Sequence, residues 1–274
     1  YSSTRKLLSK DIEIICIGNE ILNGTTIEKN SSWLTTRIRK IGGNVSRITI
    51  IRDNYNEIES TMNAALLRRP IWIITSGGLG PTYDDITIES IGRILKRNLI
   101  CHPTALAILK RNYLKRGIKK LNKYQSKMAI VPDNSEIIDN SIGTAPSVLI
   151  RDRETKIICL PGVPIELRHI FKKNILTMVK DEYKGTFFKE QFLKTVKIRE
   201  SYTARFLETT IEKYDQKDYD LYIKTHAKNP TSKIPKMNIY VSLKGDNEIM
   251  VNRTFENIIN KIKKEIYRLN GEIM

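Results

Sequence analysis

Residues 71–87 read Ile71-Trp72-Ile73-Ile74-Thr75-Ser76-Gly77-Gly78-Leu79-Gly80-Pro81-Thr82-Tyr83-Asp84-Asp85-Ile86-Thr87. A short apolar run of this kind is a buried strand. It empties into three glycines, which free the backbone to curl and to approach a ligand closely. Two adjacent carboxylates follow, and a helical pattern begins. Glycine loops hold phosphates with backbone N–H groups, while carboxylates hold a metal or a proton. The pairing points to chemistry on a phosphorylated ligand.

The same rhythm extends on both sides. Residues 12–17 form an apolar run that ends at Gly18, and residues 28–41 carry apolar positions at helical spacing and close on Gly42-Gly43. A second strand is predicted over 45–51, before Asp53, and a helix over 56–67. The third strand covers 70–75, and the next helix 84–95. Strand–helix alternation of this sort predicts an α/β fold, a three-layer sandwich around a mostly parallel sheet. In such sheets ligands sit beyond the carboxyl ends of the strands. Gly18-Asn19-Glu20, Asp53-Asn54 and the loop 77–85 all fall at such ends. Residues 103–128 are helical in pattern, 147–150 and 156–160 form a hairpin, and Pro161-Gly162-Val163-Pro164 breaks the chain before a helix over 165–179. The pattern changes around 184–186. Strands at 192–198, 221–224 and 237–243, with helices at 202–213 and 247–269, make a small α+β unit. Two domains are therefore expected, 1–180 and 181–274.

Composition bounds the function classes. The 274 residues are 40% hydrophobic, ordinary for a globular protein. No apolar run approaches the roughly 18 residues of a membrane span, and the opening ten residues lack the apolar centre of a signal peptide. Three widely spaced cysteines, Cys16, Cys101 and Cys159, form no metal motif; Cys16 and Cys159 sit in strand-like runs and are expected to be buried free thiols. A reducing cytoplasm is the expected location. The net charge of +17 would attract nucleic acid, acidic membranes or phosphorylated small molecules. It is spread along the chain, with +5 in residues 189–274 and +12 before them. A generally basic, solvated surface is favoured over a nucleic-acid footprint.

Several motifs occurring in order add up to a family. Residues 17–24 (Ile-Gly-Asn-Glu-Ile-Leu-Asn-Gly), Asn30 with Trp33-Leu34, Arg52-Asp53-Asn54 and the loop 75–85 resemble the N-terminal domain of the CinA (competence/damage-inducible) family, within the wider molybdopterin-binding MogA/MoaB-like fold. Asn122 with Gln125, residues 140–146 (Asn-Ser-Ile-Gly-Thr-Ala-Pro) and residues 160–167 (Leu-Pro-Gly-Val-Pro-Ile-Glu-Leu) extend the match. Residues 189–274 resemble the family's KH-type domain, with 222–226 (Tyr-Ile-Lys-Thr-His) as the local match. The residues given hold no counterpart of the family's C-terminal nicotinamide mononucleotide deamidase domain, so that activity is not implied. What the resemblance implies is a nucleotide or pterin phosphate in the glycine-loop pocket, divalent-metal-dependent hydrolysis of ADP-ribose to AMP and ribose 5-phosphate, and a homo-oligomer. MogA-like relatives instead adenylylate molybdopterin, and in that branch the positions of Asp53 and Asp85 are considered catalytic.

The residues support an assignment beside the resemblance. Hydrolysis of a phosphoanhydride is helped by Mg²⁺ or a similar oxygen-preferring ion, which needs carboxylates at the cleft rim. Asp85 is read as metal ligand or base, Asp53 as its partner in orienting water, and Asp84 as either a second ligand or a helix N-cap. Gly77, Gly78, Gly80 and Thr82 are assigned to phosphate. Gly162, Gly143 and Thr144 are further contacts, with a rigid turn as the alternative. Asn30 reaches the ligand from the first helix or is a surface residue. Glu20 is a ligand or a turn residue. His102, His169 and His226 are scattered and form no triad; Lys224 and His226 read as a strand end, with a place over the first domain's cleft as the alternative.

Two other classes compete. One is a molybdopterin or nucleotide binder without turnover. The other is an RNA-binding protein. RNA-binding KH domains clamp the backbone with a Gly-x-x-Gly loop, and residues 189–274 hold only Gly245 and Gly271. The unit is accordingly read as a dimerisation or cleft-covering module.

Overall fold

The computed structural model describes residues 10–214, 219–228 and 234–274, so part of the opening segment judged against a signal peptide lies outside it. The chain divides into two compact units, one of residues 10–39 and 43–182, the other of residues 40–42 and 183–274.

In the first unit the chain runs β1 (Asp11–Ile17), α1 (Asn19–Leu22), α2 (Asn30–Arg39), β2 (Asn44–Ile51), α3 (Tyr55–Arg68), β3 (Trp72–Ser76) and α4 (Thr87–Ile94). It continues with β4 (Leu99–Cys101), α5 (Pro103–Leu114), α6 (Lys123–Lys127), β5 (Ile130–Pro132), β6 (Glu136–Ile138), β7 (Ser147–Asp152) and β8 (Thr155–Leu160). It closes with α7 (Pro164–Ile170), a π-helical turn at Phe171–Ile175, and α8 (Leu176–Glu182). The six-stranded sheet has the order β2-β1-β3-β8-β7-β6. The first four strands are parallel; β7 runs against β8, and β6 runs against β7 and so again along the first four. The sheet is thus mixed. Because β2 lies on one side of β1 and β3 on the other, the winding reverses at β1, which is where a crevice opens above a doubly wound sheet.

The core follows the period-two alternation of strands. Ile15, Ile17, Ile73, Ile157 and Cys159 pack with Ile58, Met62 and Ala65 of α3, Ile91 of α4, and Ala105, Leu109 and Tyr113 of α5. Their neighbours Ile14, Trp72, Ile74 and Ile158 face the opposite layer, where Leu34, Ile38, Phe171 and Val179 are buried. There Trp33 meets Phe171 edge-on at 5.8 Å. Cys16 and Cys159 are buried free thiols, and burial pushes both up to about 12; Cys101 is exposed. Among the described residues no helix is long and apolar enough to cross a membrane.

Two predicted elements change. The helix expected over 103–128 is two helices, because the chain turns after Leu114 and restarts at Asn122. Asn122 and Gln125 form a reciprocal cap, each side chain accepting from the other's backbone N–H at 2.9 Å. The helix expected from residue 84 begins only at Thr87.

In the second unit, β9 (Phe187–Val196), α9 (Glu200–Tyr214), β10 (Tyr219–Lys228), β11 (Lys236–Gly245), α10 (Glu248–Arg268) and β12 (Glu272–Ile273) form an antiparallel sheet of order β10-β11-β9-β12 with two helices. The strands are longer than expected from pattern. Helix α10 buries Val251, Phe255, Ile258, Ile259, Ile262 and Ile266, the i, i+4, i+7 spacing of an amphipathic helix. Asn247 caps it by accepting from Met250 N–H at 3.1 Å.

One buried charge in the first unit is held by a fork. Glu13, with a side chain 4% exposed, accepts from Arg68 Nε at 2.6 Å and from its terminal nitrogen at 2.7 Å, and the Arg68 side chain is 39% exposed. Arg68→Ala strands a buried carboxylate, and because water reaches the vacated site the expected loss is about 2–3 kcal/mol, below the usual range for a fully buried pair. Adding Glu13→Gln should recover most of it. Urea unfolding of the single and double variants measures both, and equal midpoints for Arg68→Ala and the parent would rule out the pair as a stabilising contact.

Candidate functional site

Four strand ends build one cleft in the first unit. It has a volume of about 350 Å³ and is lined by Gly18 and Glu20 after β1, Asp53 after β2, residues 77–82 with Asp84 and Asp85 after β3, and residues 161–163 after β8. Thr144, Ala145 and Glu166 complete it. The structure brings together Glu20, Asp53 and the glycine loop, expected at one sheet edge, with Thr144 and Gly162, expected as further contacts.

The glycine loop is locked from below. Gly77 N–H donates to Leu160 O at 3.0 Å, and the Thr87 hydroxyl donates to Gly77 O at 3.0 Å. Gly77 and Gly78 adopt φ of 113° and 68°. A Cβ at Gly77 would lie 2.1 Å from Ile17 O, and one at Gly78 2.1 Å from the Thr87 hydroxyl oxygen. Both positions therefore require glycine on two counts. The N–H groups of Gly78, Leu79 and Gly80 meet no acceptor among the described residues. Successive free amides of this kind form an anion-binding concavity.

The carboxylates form the rim. Asp53 accepts from Asn19 N–H at 2.8 Å, which ties the end of β2 to the start of α1. Burial raises the Asp53 pKa, and the like charges of Glu20, Asp84 and Asp85 raise it further against that bond. Asp85 accepts from Thr82 N–H at 2.9 Å, and the Thr82 hydroxyl bridges Asp84 and Asp85. Neither aspartate caps α4, because Ile86 occupies the cap position. Thr82, expected at phosphate, lines the cleft, with its N–H and hydroxyl turned onto the carboxylates. Lys127 Nζ donates to Thr82 O at 2.8 Å and fastens the loop to the end of α6.

Two predicted contacts serve the frame instead. Asn30 is buried; its amide donates to the Ser76 hydroxyl at 2.9 Å and to Gly162 O at 2.7 Å, joining the ends of β3 and β8 from beneath. Gly143 N–H donates to Asn140 Oδ1 at 2.8 Å, inside a loop whose Asn140 amide reaches Ala145 O at 2.9 Å and Glu166 at 2.7 Å. A Cβ on Gly143 would collide with Glu166. Pattern reasoning missed Glu28, whose carboxylate accepts from Asn30 N–H at 2.6 Å and Ser31 N–H at 2.8 Å and so closes the first turn of α2. It also missed Glu166 at the cleft wall. Among the described residues no group of three or more histidines, cysteines or carboxylates is set to hold a metal ion by itself.

A family model described as a probable molybdopterin binding domain matches residues 13–181. A protein from Sulfurisphaera tokodaii is 36% identical over 262 residues, 96% of this chain and 97% of the relative. One from Metallosphaera sedula is 33% identical over 261 residues, 95% and 96% of the two. The crystal structure of the protein CinA, of unknown function, from Thermoplasma acidophilum is similar with a TM-score of 0.57 at 34% identity, covering 63% of this chain and 98% of that one.

The raised Asp53 pKa has a stability consequence. The folded state favours the protonated carboxyl, so the stability tied to it is full below the unperturbed value and is lost as pH rises through the raised one. Asp53→Asn cannot ionise yet keeps an oxygen for Asn19 N–H. Its melting temperature should match or exceed the parent's at pH 7, and the advantage should vanish below about pH 4. Thermal melts at both pH values test this; a variant less stable than the parent at pH 7 would contradict it.

Proposed function

The chain belongs to the molybdopterin-binding domain family and is CinA-like, and from that premise we propose that its cleft binds a phosphorylated pterin or nucleotide. The observation that carries the proposal is the run of unsatisfied N–H groups at Gly78, Leu79 and Gly80, at the point where the sheet winding reverses. Phosphate oxygens supply the acceptors that the protein withholds there.

A second reading is favoured by the carboxylate rim. In it the bound phosphoanhydride is hydrolysed, with ADP-ribose giving AMP and ribose 5-phosphate. Mg²⁺ takes one or two carboxylates together with substrate phosphates. Asp84 and Asp85, both lining the cleft, suit that role. When bound, the ion would offset charge on the phosphoryl oxygens. In this reading Asp53 takes the proton from water, supported by its raised pKa and by the Asn19 N–H bond that orients its carboxylate. The second unit, a four-stranded sheet with two helices on one side, is read as KH-like.

Calorimetric titration with AMP, ADP-ribose and a pterin phosphate, with and without Mg²⁺, tests the first reading. Gly78→Val should weaken binding at least tenfold, because its side chain meets the Thr87 hydroxyl and the left-handed backbone, so the loop must shift its amides; a thermal melt separates this from unfolding, and failure of every phosphorylated ligand to bind the parent chain would overturn both readings. Release of AMP from ADP-ribose tests the second. Asp85→Asn should abolish it while ligand affinity stays within about threefold. Binding without AMP under varied metals and pH would leave the binder and sink the hydrolase.

A further inference from the structure

The antiparallel sheet of the second unit has two unlike faces. Leu193, Leu221, Ile239, Val241 and Leu243 join α9 and α10 in a shared core. The alternate residues point away from those helices, and the pairing register sets them in rows. Tyr240 stands between Phe192 and Lys224, and Asn238 in the next row between Lys194 and His226. On the other side of Tyr240, Ser242 pairs with Tyr222.

The rings form one contiguous cluster, tilted by 45° between Phe192 and Tyr240 and by 58° between Tyr222 and Tyr240, so that each exposed ring offers a face of its own. The centroids of Phe192 and Tyr240 are 4.8 Å apart, and those of Tyr222 and Tyr240 6.1 Å apart. Tyr240 is the anchor, 5% exposed, with its hydroxyl donating to Glu190 at 2.9 Å. Phe192 and Tyr222 are 54% and 53% exposed. Two half-exposed rings braced on a buried third are costly to leave in water. An apolar partner would want an apolar surround. Here lysines border the rings, Lys224 in the row of Phe192 and Tyr240 and Lys194 in the next, while of the carboxylates on this face Glu190 accepts from Tyr240 and Asp220 stands opposite Lys244.

Flat rings bordered by cations match a polyanion whose repeating unit carries an accessible π-face. A duplex shows its phosphates but keeps its bases stacked. A single strand offers both, and base-on-aromatic stacking beside a basic track is the general means of holding one. Such a platform needs no Gly-x-x-Gly loop, because it grips bases and not the backbone turn.

We propose that this face binds single-stranded nucleic acid without strong sequence preference, stacking bases on Phe192 and Tyr222 and pairing phosphates with Lys194 and Lys224. The proposal stands apart from the cleft of the first unit and does not rest on its ligand.

The test is fluorescence anisotropy of labelled decauridylate and decathymidylate with the full chain over a range of salt, against a blunt duplex of equal length and against heparin. Single strands should bind more tightly than the duplex. Phe192→Ala and Tyr222→Ala should each weaken them about fivefold or more, while Phe192→Tyr and Tyr222→Phe, which keep a ring, should change affinity less than twofold. Lys194→Gln with Lys224→Gln should flatten the logarithmic salt dependence by about one unit or more. Thermal melts of each variant separate lost stacking from lost folding. No binding of single strands would overturn the proposal. So would equal binding of duplex and heparin with no response to removal of the rings, which would leave only attraction of polyanions to a basic chain.

Discussion

The architecture of the cleft turns on a lack of space beside Gly77. Its amide is held by the last carbonyl of β8, its carbonyl by the first hydroxyl of α4, and its α-carbon faces the terminal carbonyl of β1 at a range no side chain tolerates. Three elements that are remote in sequence are thereby fixed against one residue. The loop that follows has nowhere to send its next amides except outward. The amides of Gly78, Leu79 and Gly80, which meet no acceptor among the described residues, follow directly on this crowded residue.

Electrostatics divide the labour at the rim. The chain carries +17 overall, yet the cleft gathers Glu20, Asp53, Asp84, Asp85 and Glu166. A basic molecule draws an anionic ligand in by its long-range field. A local excess of carboxylates then works against that ligand unless a cation or a proton comes with it. Thr82 holds both aspartates beside Asp53, whose pKa is raised by burial, lowered by the Asn19 N–H bond and raised again by the charges of Glu20, Asp84 and Asp85.

Much of this was legible in the chain because strand ends, glycines and carboxylates declare themselves locally. The apolar runs at 12–17 and 71–74, the break at Gly18 and the loop after Ser76 locate the crevice from pattern alone. Other features depend on contacts between distant residues and left no local mark. Asn30 looks like a surface helix residue, but its amide spans 132 positions to Gly162. Gly143 looks like a ligand contact, but its amide is consumed by Asn140. The aspartate pair follows the rule for helix caps, yet the loop takes one residue more before α4 begins, so that both carboxylates stay in the cleft. The aromatic platform of the second unit was hidden for the same reason. Phe192, Tyr222 and Tyr240 belong to three strands and meet only through register.

The unequal burial of the three sulfurs gives the chain an internal reporter. Cys101 is accessible, whereas Cys16 and Cys159 are sealed in the sheet of the first unit with thiols that resist ionisation. Since only thiolates alkylate, one sulfur per molecule reacts while that unit is closed, and the others react only when the sheet opens. The ratio of second and third modifications to the first therefore clocks opening events of the unit that holds the cleft, with no foreign label, and distinguishes a ligand that tightens the sheet from one that merely rests in the crevice.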